Sequence, residues 1–132
     1  LLFVVYINDL HNTLVYSTCH HFADDTNIMY ANKSIKKINR HVNYDISRIG
    51  KWLRENKISL NSTKTELIIF RSKQMNITKN LNFRLSGQKL NTSKSVKYLG
   101  VILDEFLTFD QHINNLKTKL TRANGLLSKL RH

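Results

Sequence analysis

Acidic residues are scarce in this chain of 132 residues. Nine Asp and Glu stand against 21 Lys and Arg, and none follows Asp110. The resulting charge of +12, with a pI near 10.0, attracts polyanions, and nucleic acid is the usual one. A membrane surface competes for that role, but the basic residues are spread over several elements rather than gathered on one terminal helix. The one cysteine, Cys19, excludes an internal disulfide and fits a reducing compartment, so cytoplasm and nucleus are the expected locations. Long apolar runs are missing too. Residues 1–7 form the longest, far short of the ~20 that a spanning helix needs. That run also lacks the basic flank and cleavage site of a secretory leader. There is no proline, internal repeat or low-complexity tract, which excludes repeat arrays and Pro-rich linkers. Hydrophobic residues make up 41%, enough for a core in a chain of one domain at most. The chain does not begin with Met and opens in mid-pattern, so a fragment is expected.

Periodicity then places the elements. Residues 1–10 read as the end of a buried helix, with a strand as the alternative for so short an apolar run. Ser34 predicts the N-cap of a helix running to about residue 57, with Ile35, Ile38, Val42, Ile46, Ile49 and Leu53 on one face. Lys36, Lys37, Arg40, Arg48, Lys51 and Arg54 lie on its other faces and read as mostly solvated. Gly50 inside the pattern marks close packing against the sheet. Residues 64–70 predict a strand, 71–80 a surface loop, and 83–90 a hairpin turning at Ser86-Gly87. Residues 96–103 form the next strand. From Asp110, Ile113, Leu116, Leu120, Ala123, Leu127 and Leu130 recur at spacings of 3 and 4, a final amphipathic helix.

Phe22-Ala23-Asp24-Asp25-Thr26 carries the chemistry. Strand-like residues lie on both sides, so the two carboxylates fall at a hairpin tip. Two such charges at ~4 Å and an effective dielectric near ~20 repel by about 4 kcal/mol. A divalent cation with a preference for oxygen ligands removes that repulsion. On these five residues alone, ordinary turn chemistry is the preferred reading. Cys19, His20 and His21 do not make a zinc site. Alternation puts only Cys19 and His21 on one face, and no second pair lies at useful spacing.

Four more segments change the balance by their order: 1–10, ending Ile7-Asn8-Asp9-Leu10; 52–70, from Trp52 to Phe70; 96–104, with Tyr98-Leu99-Gly100-Val101; and 107–113. The succession resembles the second half of the reverse transcriptase domain of non-LTR (LINE-type) retrotransposons, over essentially the whole chain. The resemblance implies an α+β fold, a partial polymerase palm over residues 1–104. There an antiparallel sheet bearing the Asp24-Asp25 hairpin packs on helices, and residues 105–132 start a thumb.

It implies RNA-directed DNA synthesis by two-metal nucleotidyl transfer, with Mg2+ (or Mn2+), deoxynucleoside triphosphates, an RNA template and a DNA primer. Asp24 and Asp25 would be the metal-binding and catalytic carboxylates, Asp24 the indispensable one. Lys64 would neutralise or protonate the pyrophosphate leaving group, although a surface lysine beside a turn fits equally well. Phe22 and Ala23 would lie beneath the incoming nucleotide. Tyr98, Leu99 and Gly100 would form the hairpin that supports the primer end, Gly100 by permitting close backbone approach. Lys117, Lys119 and Arg122 would track the nucleic-acid backbone. Asp9 reads as a helix-end hydrogen bonder, and Trp52 and Tyr44 as core or boundary residues. The strand bearing a further catalytic Asp would lie upstream of residue 1, so inactivity in isolation is expected. A non-catalytic basic nucleic-acid-binding remnant and a domesticated scaffold are the rival readings.

Overall fold

The structure is a computed structural model that describes residues 2–23, 25–61, 64–75 and 81–130. The chain falls into two compact units, Leu1–Thr65 with Lys79–Asn91, and Glu66–Thr78 with Thr92–His132.

The first unit is organised by one long helix. A short helix α1 (Leu2–Ile7) is followed by a 3-10 turn (Leu10–Thr13), so the helix expected over 1–10 is broken at Asn8 and Asp9. Strands β1 (Thr18–Phe22) and β2 (Asp25–Met29) then lead into α2 (Ile35–Glu55). Ser34 caps α2 as expected, its hydroxyl accepting the Lys37 N–H at 3.5 Å. The helix stops at Glu55 because Lys57 turns left-handed (φ 55°), which lets the Ile58 N–H reach back to the Leu53 carbonyl at 2.9 Å.

The apolar face of α2 meets β4 (Phe83–Leu85), which pairs antiparallel with β5 (Gln88–Leu90). Phe83 is 1% exposed, and Leu85, Ile46, Ile49, Trp52 and Leu53 are buried with it. Burying an aliphatic or aromatic side chain of this size contributes about 1.5–3 kcal/mol. The expectation that the Asp24-Asp25 hairpin would cover this face is therefore corrected: β4 occupies it. Neither β1 nor β2 has a buried residue to offer, whereas Phe83 and Leu85 alternate inward around exposed Arg84. Gly50 faces the same hairpin. A methyl group there would meet Ser86 Oγ at 3.5 Å and Leu85 Cδ1 at 3.7 Å, ordinary contact distances, so the close approach does not require glycine.

The second unit contains β3 (Leu67–Ile68), paired in parallel with β6 (Thr92–Ser93), and the hairpin of β7 (Ser95–Tyr98) with β8 (Val101–Asp104). Helix α3 (Asp110–Leu130) follows. Two expectations change here. The strand expected over 64–70 shrinks to two residues and leaves Lys64 outside it. The strand read over 96–103 from its pattern folds back at Leu99-Gly100, where the resemblance implies a hairpin, and both residues take positive φ (46° and 88°), the sign that two-residue hairpin turns need. Among the described residues the strands form four separate pairs, one of them parallel, in a mixed α and β chain with small sheets instead of one antiparallel sheet.

Candidate functional site

The register of β1 on β2 ends with Phe22 opposite Asp25, and Ala23 lies in the turn that follows β1. Ala23 sits at φ 53°, a left-handed position that costs a non-glycine residue about 1 kcal/mol. The turn holds it there because that sign of φ matches the twist of the flanking strands. Asp24, expected as the first metal ligand, lies outside the described residues. Asp25 opens β2, exposed, and its carboxylate bonds to no other described residue. Free carboxylate oxygens of this kind suit a hard cation. Phe22 is 62% exposed, so its ring forms surface at the tip and not core.

The hairpin is anchored at its base. Asp45 of α2, 1% exposed, accepts the backbone N–H groups of Val15, Tyr16 and Ser17 at 3.0, 3.1 and 2.7 Å. Three amide donors compensate a buried carboxylate that would otherwise be costly. His41, one turn earlier, stacks on Tyr16 and lies 2.6 Å from the Tyr30 hydroxyl through Nδ1. Further along, Arg48 Nε donates to the Thr13 carbonyl, Trp52 Nε1 to Asp9 Oδ2 at 3.3 Å, and the Tyr6 hydroxyl to the Asn56 carbonyl at 2.6 Å. Positions 41, 45, 48 and 52 form one stripe of the helix beside its apolar face, and Asn56 continues it at the C-cap. It binds residues 6–17 in antiparallel order. The stripe escaped the sequence reading, which left Arg48 on a solvated face. The signal was a polar set at spacings of 4, 3, 4 and 4 alongside the apolar one. Asp9 is the hydrogen bonder it was expected to be, and Trp52 is buried. Tyr44 is exposed, edge-on to Tyr16 at 5.7 Å between centroids.

On one face of β1, Cys19 Sγ lies 3.3 Å from His21 Nε2, and His21 Nδ1 lies 3.2 Å from Thr26 Oγ1. Partial burial raises the Cys19 thiol above its ordinary value. Among the described residues no group of three His, Cys, Asp or Glu side chains converges as metal ligands would.

The remaining expected residues lie elsewhere. Lys64 is exposed in a turn, its N–H donating to the Asn61 carbonyl at 3.1 Å, and its ammonium bonds to no other described residue. Tyr98, Leu99 and Gly100 form the tip of the β7–β8 hairpin, and Lys117, Lys119 and Arg122 lie exposed on α3, all in the second unit. That unit is braced by polar groups the sequence reading passed over. Asp104 Oδ1 accepts the Phe109 N–H (2.8 Å) and the Thr108 hydroxyl (3.2 Å), and Oδ2 accepts the Phe106 N–H (3.1 Å). Desolvation pushes this carboxyl up, but the Phe109, Thr108 and Phe106 amides and the Thr108 hydroxyl outweigh it and hold the pKa below its ordinary value. Arg71 grips Glu105 Oε2 through Nε (3.1 Å) and Nη2 (2.8 Å), with its guanidinium 4.8 Å from the Phe106 ring centroid.

The profile of the family described as reverse transcriptase (RNA-dependent DNA polymerase) matches residues 1–103. The chain is similar to the RNA-directed DNA polymerase from mobile element jockey of Drosophila melanogaster, 26% identical over 111 residues, covering 81% of this chain and 12% of that protein. It is 28% identical over 115 residues to the retrovirus-related Pol polyprotein from type-1 retrotransposable element R1 2 of Nasonia vitripennis (83% of this chain, 27% of that protein). It is 27% identical over 99 residues to the probable RNA-directed DNA polymerase from transposon X-element of Drosophila melanogaster (75% and 11%). The chain thus spans between 11% and 27% of the length of these relatives. No solved structure matches it.

Proposed function

Because this chain belongs to the reverse transcriptase (RNA-dependent DNA polymerase) family, we propose that it supplies the metal-binding hairpin of a non-LTR retrotransposon polymerase palm, with α3 the start of the thumb. The observation that carries the reading is the β1–β2 hairpin, where Asp25 opens its strand opposite Phe22, adjacent in sequence to Asp24, with an exposed carboxylate that bonds to no other described residue. Bound there, Mg2+ or Mn2+ would lower the pKa of an attacking primer hydroxyl and neutralise the leaving pyrophosphate. Asp24 and Asp25 hold the metal, and Phe22 and Ala23 offer the surface beneath the incoming deoxynucleotide. Lys64 neutralises the leaving group, and Tyr98, Leu99 and Gly100 support the primer end on its RNA template.

Two-metal transfer needs a further carboxylate, and most of the chain's other acids are engaged. Asp9 bonds Trp52, Asp45 holds three amides, and Asp104 braces its loop. Glu55 pairs with Lys51 and Glu105 with Arg71, while Asp110 opens α3. Glu66 and Asp110 are exposed with carboxylates that bond to no other described residue, and both belong to the second unit. The isolated chain is therefore expected to give no primer extension with Mg2+ or Mn2+. Template-dependent incorporation by the purified chain, abolished by Asp24→Ala, would overturn that expectation.

Nucleic-acid binding is a separate matter, since it needs charge and not metal. Affinity for an RNA–DNA duplex, read by fluorescence anisotropy, should fall roughly tenfold or more between about 50 and 200 mM salt if three phosphates are engaged. It should depend little on base sequence. Changing Lys117, Lys119 and Arg122 together to Gln should weaken binding and flatten the salt slope. Unchanged affinity and slope would remove the thumb assignment's functional content.

A further inference from the structure

Hairpin β1–β2 has no buried residue on either strand, so the placing of its tip falls to its base. An isolated two-stranded hairpin is marginally stable at best. Both of its ends meet one side chain. Tyr16, two residues before β1, lays its ring on the His41 imidazole with centroids 3.8 Å apart and planes 11° apart. Tyr30, the residue after β2, brings its hydroxyl to 2.6 Å from His41 Nδ1, with its ring edge-on at 5.5 Å. One helical turn further on, Asp45 gathers the amides of Val15, Tyr16 and Ser17.

We infer that His41 and Asp45 form a clasp on α2 that positions the hairpin tip for metal binding. They are positioning residues, acting through Asp24 and Asp25 without touching the metal, and the inference rests on the metal-site reading above. The lever is long. Six residues from Ser17 to Ala23 span about 20 Å at ~3.3 Å each, so a tilt of about 5° at the base moves the tip by about 2 Å. Displacements of that size are enough to spoil a reacting geometry.

Tyr30→Phe removes the hydroxyl and keeps the ring, and His41→Phe keeps a ring against Tyr16 and removes Nδ1. Three readouts on the 132-residue chain test the clasp: Trp52 emission for folding of the first unit, amide exchange along β1 and β2, and Mn2+ affinity from the free-ion paramagnetic resonance signal. Both variants should keep Trp52 emission, speed exchange along the hairpin and weaken Mn2+ binding by about fivefold, the scale of one lost hydrogen bond. The double variant should be no worse than either single one, because both break the same bond. Asp45→Asn should act in the same direction and more strongly, since its amide N–H would face amide donors. Mn2+ binding equal in all variants overturns the clasp alone. A wild-type chain that binds no Mn2+ overturns the metal-site reading itself.

Discussion

Helices α2 and α3 each run for 21 residues, and each repeats apolar side chains at spacings of 3 and 4, yet they end in opposite circumstances. In α2 the stripe is closed over by β4 and the 3-10 turn, with six residues of the helix buried. In α3, Ile113, Leu116, Leu120 and Leu127 are all exposed, Leu120 at 63%. Its packing is against β8, where His112 Nδ1 lies 3.5 Å from the Ile102 amide. The units that carry them differ in the same way. The first has a hydrophobic core, whereas no described residue of the second is buried, and its order comes from polar braces at Asp104 and Arg71. Equal periodicity therefore specifies equal faces and not equal burial.

The contrast can be broken most sharply at Phe83. Phe83→Ala empties the centre of the first unit and should cost about 3–5 kcal/mol, read as a lowered midpoint of Trp52 fluorescence in urea. In the second unit the largest loss should come from Arg71→Ala. It strips a half-buried Glu105 of charge-assisted hydrogen bonds at about 1.5–3 kcal/mol and should show as faster amide exchange across β7 and β8. Acid should loosen the same unit by a different route. The folded pKa of Asp104 is depressed, so its contribution is fully present above the ordinary carboxylate value of about 3.9 and is lost as pH falls through the folded value. Asp104→Asn should remove that acid-dependent part of an exchange or circular-dichroism titration. Gly50→Ala sharpens the comparison from the other side. It fits without a clash and should stabilise α2 by up to about 1 kcal/mol. The smallest effect belongs to Leu120→Gln on the open stripe of α3, within about 0.5 kcal/mol in the same denaturant titrations. A larger loss there would mean that the stripe is covered in solution.

Much of this was legible because it is local. Ser34 and the six apolar positions after it define a helix and its face by 3.6-residue geometry, and α3 follows from Asp110 by the same rule. The turns at Ser86-Gly87 and Leu99-Gly100 belong to residues next to each other in the chain. The +12 charge, the order of the motifs and the family they resemble are properties of the sequence alone. Other features depend on which distant segments meet. Asp45 reads as an ordinary helical acid until residues 15–17 turn three amides toward it across some thirty positions. His41 gains its partners only where two tyrosines from either end of a hairpin close on it. The face of α2 could have been covered by any alternating strand, and Phe83 and Leu85 of β4 took it because β1 and β2 have no buried face to lend. A side chain's periodicity states which way it points. What stands opposite is decided by closing loops of tens of residues, and only the tertiary structure settles that.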